Sequence, residues 1–420
     1  MSGETRLNEF LQAIDDWKSS KYLAEVEPPE EASTALNADF NTIKSWSAET
    51  CNMYAFKLYA YSEYIETEKV KEKNTLERLA VARYNIGKSI KSAWDKEKEP
   101  NQWVALAEMI RERNPKKIGI NFSKHFPLAD GLVKTDYDEL KENLPEELGS
   151  KLVSAEKLAI AWIETRTKKE LELFRELVKI THDIIDEAFS EEVIVPGVTS
   201  TDDVVWFLRQ KVTSLGLETW FHPTIDAQRN KEVLKSHIES FSKGKEEQII
   251  QKGDLLHCDF GITYVGLNTD CQQHAYVLKD DEKQVPQFLK DAFKKGNRLQ
   301  DILTSSMKFG KTGNQILSES LSQAKEEGLK PSIYTHPLGK YGHSAGTTIG
   351  MWDSQNGVPF KGDYPLQKNT AYAIELNTTV TIKEWQKDIR IMLEEAGFFG
   401  DDVFEYVNER QTNIKPIETK

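Results

Sequence analysis

The chain has 420 residues, enough for two or three domains with a substantial interior, and its 39% hydrophobic and 29% charged residues describe a folded globular protein rather than a disordered or fibrous one. A formal net charge of −13 argues against a surface that neutralises phosphates, so no nucleic-acid partner is expected. No run approaches the ~18 apolar residues of a membrane span, the opening MSGETRLNEFLQAIDDW lacks a secretory leader, and the scattered Cys51, Cys258 and Cys271 make no disulfide framework; the expectation is a cytoplasmic protein.

In chain order, residues 1–95 are predicted to be helical, with two long helices in AETCNMYAFKLYAYSEYIETEKVKEKNTLERLAVARYNIGKSIKSAWD, where apolar residues recur every three or four positions. KEKEPNQ marks a break. Residues 96–154 then read as part of an α/β domain, with a helix in WVALAEMIRERN and a strand in PKKIGINFS, and residues 136–162 supply two more helical stretches. The third region is 155–420. It opens on ETRTKKELELFRELVKITHDIIDEAF, an amphipathic helix with Leu171, Phe174, Leu177, Val178 and Ile185 on one stripe.

From there a pattern repeats. Helices near 168–189 and 202–214 precede strands at IIQKGDLLHCDFGITYV and DCQQHAYVLK, and helices near 286–306 and 312–327 precede strands at YAIELNTTVTI and DIRIMLEEAGFF. An α+β fold follows, with helices outside two sheet halves and a cleft where the halves meet. Alternation in the strands sets Cys258 and Cys271 on the face opposite their neighbours Asp259 and Asp270, as small buried fillers.

Four acids interrupt these apolar strands: Asp259, Asp270, Glu375, and either Glu394 or Glu395. A buried carboxylate costs several kcal/mol unless paired or bound to a metal, and His257, His274, Lys387 and Arg390 are too few neighbours to pair them all. An oxygen-rich site completed by an imidazole suits manganese, magnesium, cobalt or zinc. His343, set among small residues in GHSAG, is the candidate nitrogen ligand.

These residues resemble the metal-dependent peptidases of the pita-bread fold, which include methionine aminopeptidase, Xaa-Pro aminopeptidase, prolidase and creatinase. The order Asp, Asp, His, Glu, Glu matches, the two aspartates are 270 − 259 = 11 apart, GDLLHCDFG resembles the strand before the first ligand, GHSAG the histidine motif, and LEE the terminal IED. INFSKHFPLADGL resembles the end of an Xaa-Pro-type N-terminal domain. The resemblance implies two divalent ions, manganese first and cobalt or zinc next. Asp259 would chelate one, Asp270 and Glu394 bridge both, and His343 and Glu375 complete the second, with Glu375 also taking a proton from the attacking water. It implies a peptide substrate cut at its N-terminal bond, with a homodimer as a candidate assembly.

Two departures stand out. The family histidine about seventeen residues before the first aspartate is replaced by ESFSKGKEE, with Ser240 and Ser242, and the one beyond the ligand histidine by TTIGMWD, with Trp352 and Asp353. His336 in THPLG is the local substitute for a substrate-binding imidazole. With the helical region 1–95 standing where Xaa-Pro-type enzymes begin on an α/β domain, the alternative expectation is a pita-bread binding or scaffold protein with weak catalysis.

Overall fold

The structure, a computed structural model, describes residues 94–230, 249–401 and 403–418. The long helices expected before residue 94, and the segment holding Ser240 and Ser242, lie outside the described residues. The chain divides into two compact units, Met1–Lys116 with Thr135–Lys151, and Lys117–Lys134 with Leu152–Lys420.

In the first unit, α1 (Gln102–Arg113) is the helix expected in WVALAEMIRERN. Asn101 accepts hydrogen bonds from the amides of Trp103 and Val104 to start it, and Asn114 in the left-handed region, φ 40°, ends it. The helices α2 (Lys134–Asn143) and α3 (Glu146–Gly149) complete the described part.

The second unit starts with β1 (Ile118–Ile120) and β2 (Leu152–Ser154), paired in parallel, followed by α4 (Glu156–Glu164). Next come α5 (Lys168–Ala188) and α6 (Thr201–Ser214), then β3 (Glu218–Thr219), β4 (Thr224–Gln228), β5 (Leu255–Phe260), β6 (Ile262–Tyr264), β7 (Leu267–Asn268) and β8 (Cys271–Val277). The pattern then returns as α7 (Gln287–Ser306) and α8 (Gly313–Glu326), followed by β9 (Pro331–Ile333), β10 (His336–Leu338), β11 (Thr370–Ala373), β12 (Leu376–Ile382), β13 (Lys387–Leu393) and β14 (Ala396–Phe399); β15 (Phe404–Tyr406) and β16 (Lys415–Ile417) close the chain. The repeat of two helices then strands is present as the periodicity predicts.

Local chemistry explains the helix starts. Thr167 and Glu170, Ser200 and Asp203, and Thr312 and Gln315 each form a reciprocal capping box that satisfies two otherwise orphaned amides. The stripe of α5 is buried at Phe174, Leu177, Val178 and Ile185, with Leu171 packed at its edge.

The strands build a sheet of order β16-β8-β5-β4, a second of order β10-β11-β14-β15 and a third of order β13-β12-β9, among others. Two apolar cores flank them. Cys258, Cys271 and Ala275 face the core that holds Phe174 and Val204, while Leu255 and Tyr276 face the one that holds Leu289 and Phe293. Strand alternation therefore runs Leu255, His257 and Asp259 along one face of β5, opposite Tyr276, His274 and Gln272 of β8. That face leaves a dry core at one end and reaches the acids at the other. Among the described residues no helix is long and apolar enough to cross a membrane.

Candidate metal centre

Each acid arrives on a different strand edge. Asp259 lies on β5, Asp270 immediately precedes β8, Glu375 sits between β11 and β12, and Glu394 follows β13. Asp259, Asp270 and Glu394 converge within metal-ligating distance of one another, and so do His336, Glu375 and Glu394. The adjacent glutamates separate cleanly. Glu394 faces this centre, whereas Glu395 accepts a hydrogen bond from the Gln411 amide and meets His182 Nε2 at 2.7 Å.

The imidazole that meets three of the carboxylates is His336. Its Nε2 lies 3.5 Å from Glu394 Oε1, 3.7 Å from Asp270 Oδ2 and 3.8 Å from Glu375 Oε2. His343, expected to be the nitrogen ligand, groups with Asp270 and His336 but not with the glutamates, and its ring is exposed beside the ring of His336 at 4.3 Å. The physical reason is the pairing of β10 with β11, which sets His336 opposite Ala373, two residues from Glu375. The Gly-flanked loop holding His343 lies beyond that strand.

The donor chemistry fits a cation. His336 Nδ1 contacts the carbonyl of Pro337 at 3.1 Å, and since a carbonyl only accepts, Nδ1 carries the proton and Nε2 presents its lone pair. A lone pair aimed at three carboxylates is repulsive unless a positive ion sits between them. Consistently, His336 Nε2, Asp259 Oδ1, Asp270 Oδ1 and Glu394 Oε1 are buried without hydrogen-bond partners. His274 is engaged elsewhere, since it contacts the Leu256 carbonyl and accepts from the Met392 amide.

The electrostatics agree. Burial, then the charge of Glu394, pushes Asp259 up to about 8, and burial pushes Glu394 up to about 8 as well. Burial and the charges of their carboxylate neighbours raise Asp270 and Glu375 in the same direction. His336 is pushed down to about 4 by burial, and His343 to about 4 by burial and then by His336 and Lys361, so both rings are neutral at pH 7.

Close backbone packing holds the aspartate in place. The Thr269 hydroxyl accepts from the Ile262 amide and contacts the Thr181 hydroxyl, and the Thr269 carbonyl accepts from Trp220 Nε1 at 2.8 Å. A Cβ on Gly261 would stand 2.1 Å from that carbonyl and 2.5 Å from Trp220 Nε1. Gly261→Ala is accordingly expected to displace Thr269 and with it Asp270, costing roughly 1–3 kcal/mol of stability and reducing metal uptake; a thermal melt with metal analysis checks both.

A cavity of about 860 Å³ opens at the centre, and its lining includes Trp220, Tyr334, His343, Met351, Trp352 and Arg390. It is large enough for a short peptide. Residues missed by sequence reasoning are Gln272 and Trp220. Gln272 had a signal, since a polar residue in the fully buried strand CQQHAYV requires a partner.

Residues 172–396, more than half of the chain, match the sequence profile of metallopeptidase family M24, and the chain belongs to that family. Its α+β architecture is the pita-bread fold. Among solved structures, it is similar to an X-Pro aminopeptidase from Thermotoga maritima at 15% identity, over 76% of this chain and 80% of that one, with a TM-score of 0.53. It is also similar to a prolidase from Thermococcus sibiricus at 14% identity, over 76% and 77%, with a TM-score of 0.50. No curated protein matches the chain.

Proposed function

We propose that this protein is a metal-dependent exopeptidase that hydrolyses the N-terminal bond of short peptides, with Xaa-Pro peptides as the substrate class. The observation that carries this reading is the convergence of three carboxylates, Asp270, Glu375 and Glu394, on the unprotonated Nε2 of His336 in a cavity that Asp259 also lines. Asp259, Asp270, His336, Glu375 and Glu394 would hold the cation. A divalent ion there supplies Lewis acidity, polarising a carbonyl and acidifying water. The X-Pro aminopeptidase and the prolidase named above carry the same fold, which supports the substrate class.

The remaining chemistry belongs to the chain. Glu375 takes the proton of the attacking water on the carboxylate that faces the cavity. His343 follows His336 by 343 − 336 = 7 residues, so with His336 as the ligand it becomes the imidazole beyond the ligand histidine. Neutral and exposed to the cavity, it donates to the carbonyl oxygen as negative charge develops there. Trp220 and Trp352 exclude water around the substrate. A second imidazole in the site weakens the scaffold reading, which rested in part on the absence of one beyond the ligand histidine.

The test is hydrolysis of a panel of Xaa-Pro peptides after addition of manganese or cobalt, with metal analysis of the purified protein. Absence of both metal and turnover would sink the proposal. The two histidines separate further: His336→Ala is expected to lose bound metal, whereas His343→Ala keeps it and loses roughly 10²–10³-fold in kcat, the cost of one oxyanion donor. Equal metal loss in both variants would reverse these roles.

A further inference from the structure

Strand β8 reads CQQHAYV, and all seven residues are buried. Gln273 donates to Glu395, away from the centre, at 3.3 Å. Gln272 lies on the other face, and the register makes it the middle member of a row. It stands opposite Asp259 in the β5 pairing and opposite Glu394 through an isolated bridge in which its own amide donates to the Glu394 carbonyl at 2.8 Å.

Its side chain is fixed from both ends. Nε2 donates to Glu375 Oε1 at 2.6 Å and to Glu394 Oε2 at 2.9 Å, while Oε1 meets His257 Nε2 at 2.9 Å. The reversed amide would aim its oxygen at two carboxylates, so this orientation is the only one that satisfies all three contacts, and it requires His257 to donate from Nε2. Asp226 Oδ2 stands 3.6 Å behind His257 Nδ1.

The consequence concerns how many cations fit. A carboxylate that bridges two ions uses both oxygens, and Gln272 holds one oxygen of Glu394 and one of Glu375. The oxygens left over, Glu394 Oε1 and Glu375 Oε2, both face His336, as does Asp270 Oδ2. Asp259 Oδ1 and Asp270 Oδ1 are orphaned as well, and Gln272 leaves Glu394 a single oxygen to share with them. We propose that Gln272 makes this a one-ion centre: Asp259, Asp270, His336, Glu375 and Glu394 gather around a single divalent ion, and the amide, braced by His257, occupies the glutamate oxygens that a second cation would need. This rests on the metallopeptidase reading. Gln272 is thus a positioning residue that sets metal stoichiometry.

Metal-free full-length protein is titrated with Mn²⁺ alone, and bound metal per chain is measured after gel filtration, together with the electron paramagnetic resonance spectrum. The wild-type chain is expected to retain one ion with the signal of an isolated Mn²⁺. Gln272→Ser, too short to reach either glutamate, and Gln272→Met, which keeps the volume without the donors, are each expected to double the uptake and to give an exchange-coupled signal. Two coupled ions in the wild type overturn this proposal and leave the metallopeptidase reading standing, and so does a single ion in both variants. No retained ion in any of the three chains overturns both.

Discussion

Asp270→Ala is expected to abolish hydrolysis of an Xaa-Pro peptide without lowering the melting temperature of the metal-free protein. Asp270 is 4% exposed, its Oδ1 has no hydrogen-bond partner, and the charges of Glu394, Asp259 and Glu375 all oppose its ionisation. Removing it from the metal-free protein therefore removes a group that burial and its neighbours hold in its protonated form, not a support. The loss of activity should exceed the ~10–100-fold that removal of a ligand's outer hydrogen-bond partner costs, because a direct donor is lost. Turnover, metal content and a thermal melt on the same preparation separate the cases. An unchanged rate would remove Asp270 from the site, and a large fall in melting temperature would make its role structural.

The second large effect is a pH dependence that metal should erase. With folded values near 8 for Asp259 and Glu394 and unfolded values near 4, these carboxyls hold protons in the folded chain that the unfolded chain releases. Stability is therefore complete below about pH 4 and is lost as pH rises towards 8, by about 1.4 kcal/mol per pH unit for each proton retained. A bound divalent ion replaces those protons, so the loaded protein should be level across the window. At a thousandfold excess over the dissociation constant, binding itself adds about 4 kcal/mol. Melting temperatures at pH 5 and 8, with chelator and with manganese, measure the difference; identical profiles would show that the acids do not share a cation site.

The aspartate pair was legible because strand physics leaves few reasons for acids in LLHCDF and TDCQQHAYV, and Glu375 stood out in AYAIELNTTV for the same reason. The helix-helix-strand repeat was equally readable, its limits falling within two residues of the capping boxes at Thr167, Ser200 and Thr312. The imidazole was not. GHSAG draws attention because small residues permit close approach, but which histidine meets the acids depends on the pairing of β10 with β11, a long-range register that local composition does not encode. Gln272 was hidden differently: its significance comes from two cross-strand neighbours, Asp259 and Glu394, that are 13 and 122 residues away (272 − 259 and 394 − 272).

Glu394 and Glu395 are the same side chain on consecutive residues, distinguished only by the pleat that sends one to the cavity and the other to His182. Inserting or deleting a single residue between Lys387 and Leu393 would exchange them, leaving length and charge almost unchanged while handing the centre the wrong backbone position. The region should thus accept many substitutions but no change in length, and insertions should survive instead in the exposed turn at Lys383 and Glu384 that joins β12 to β13.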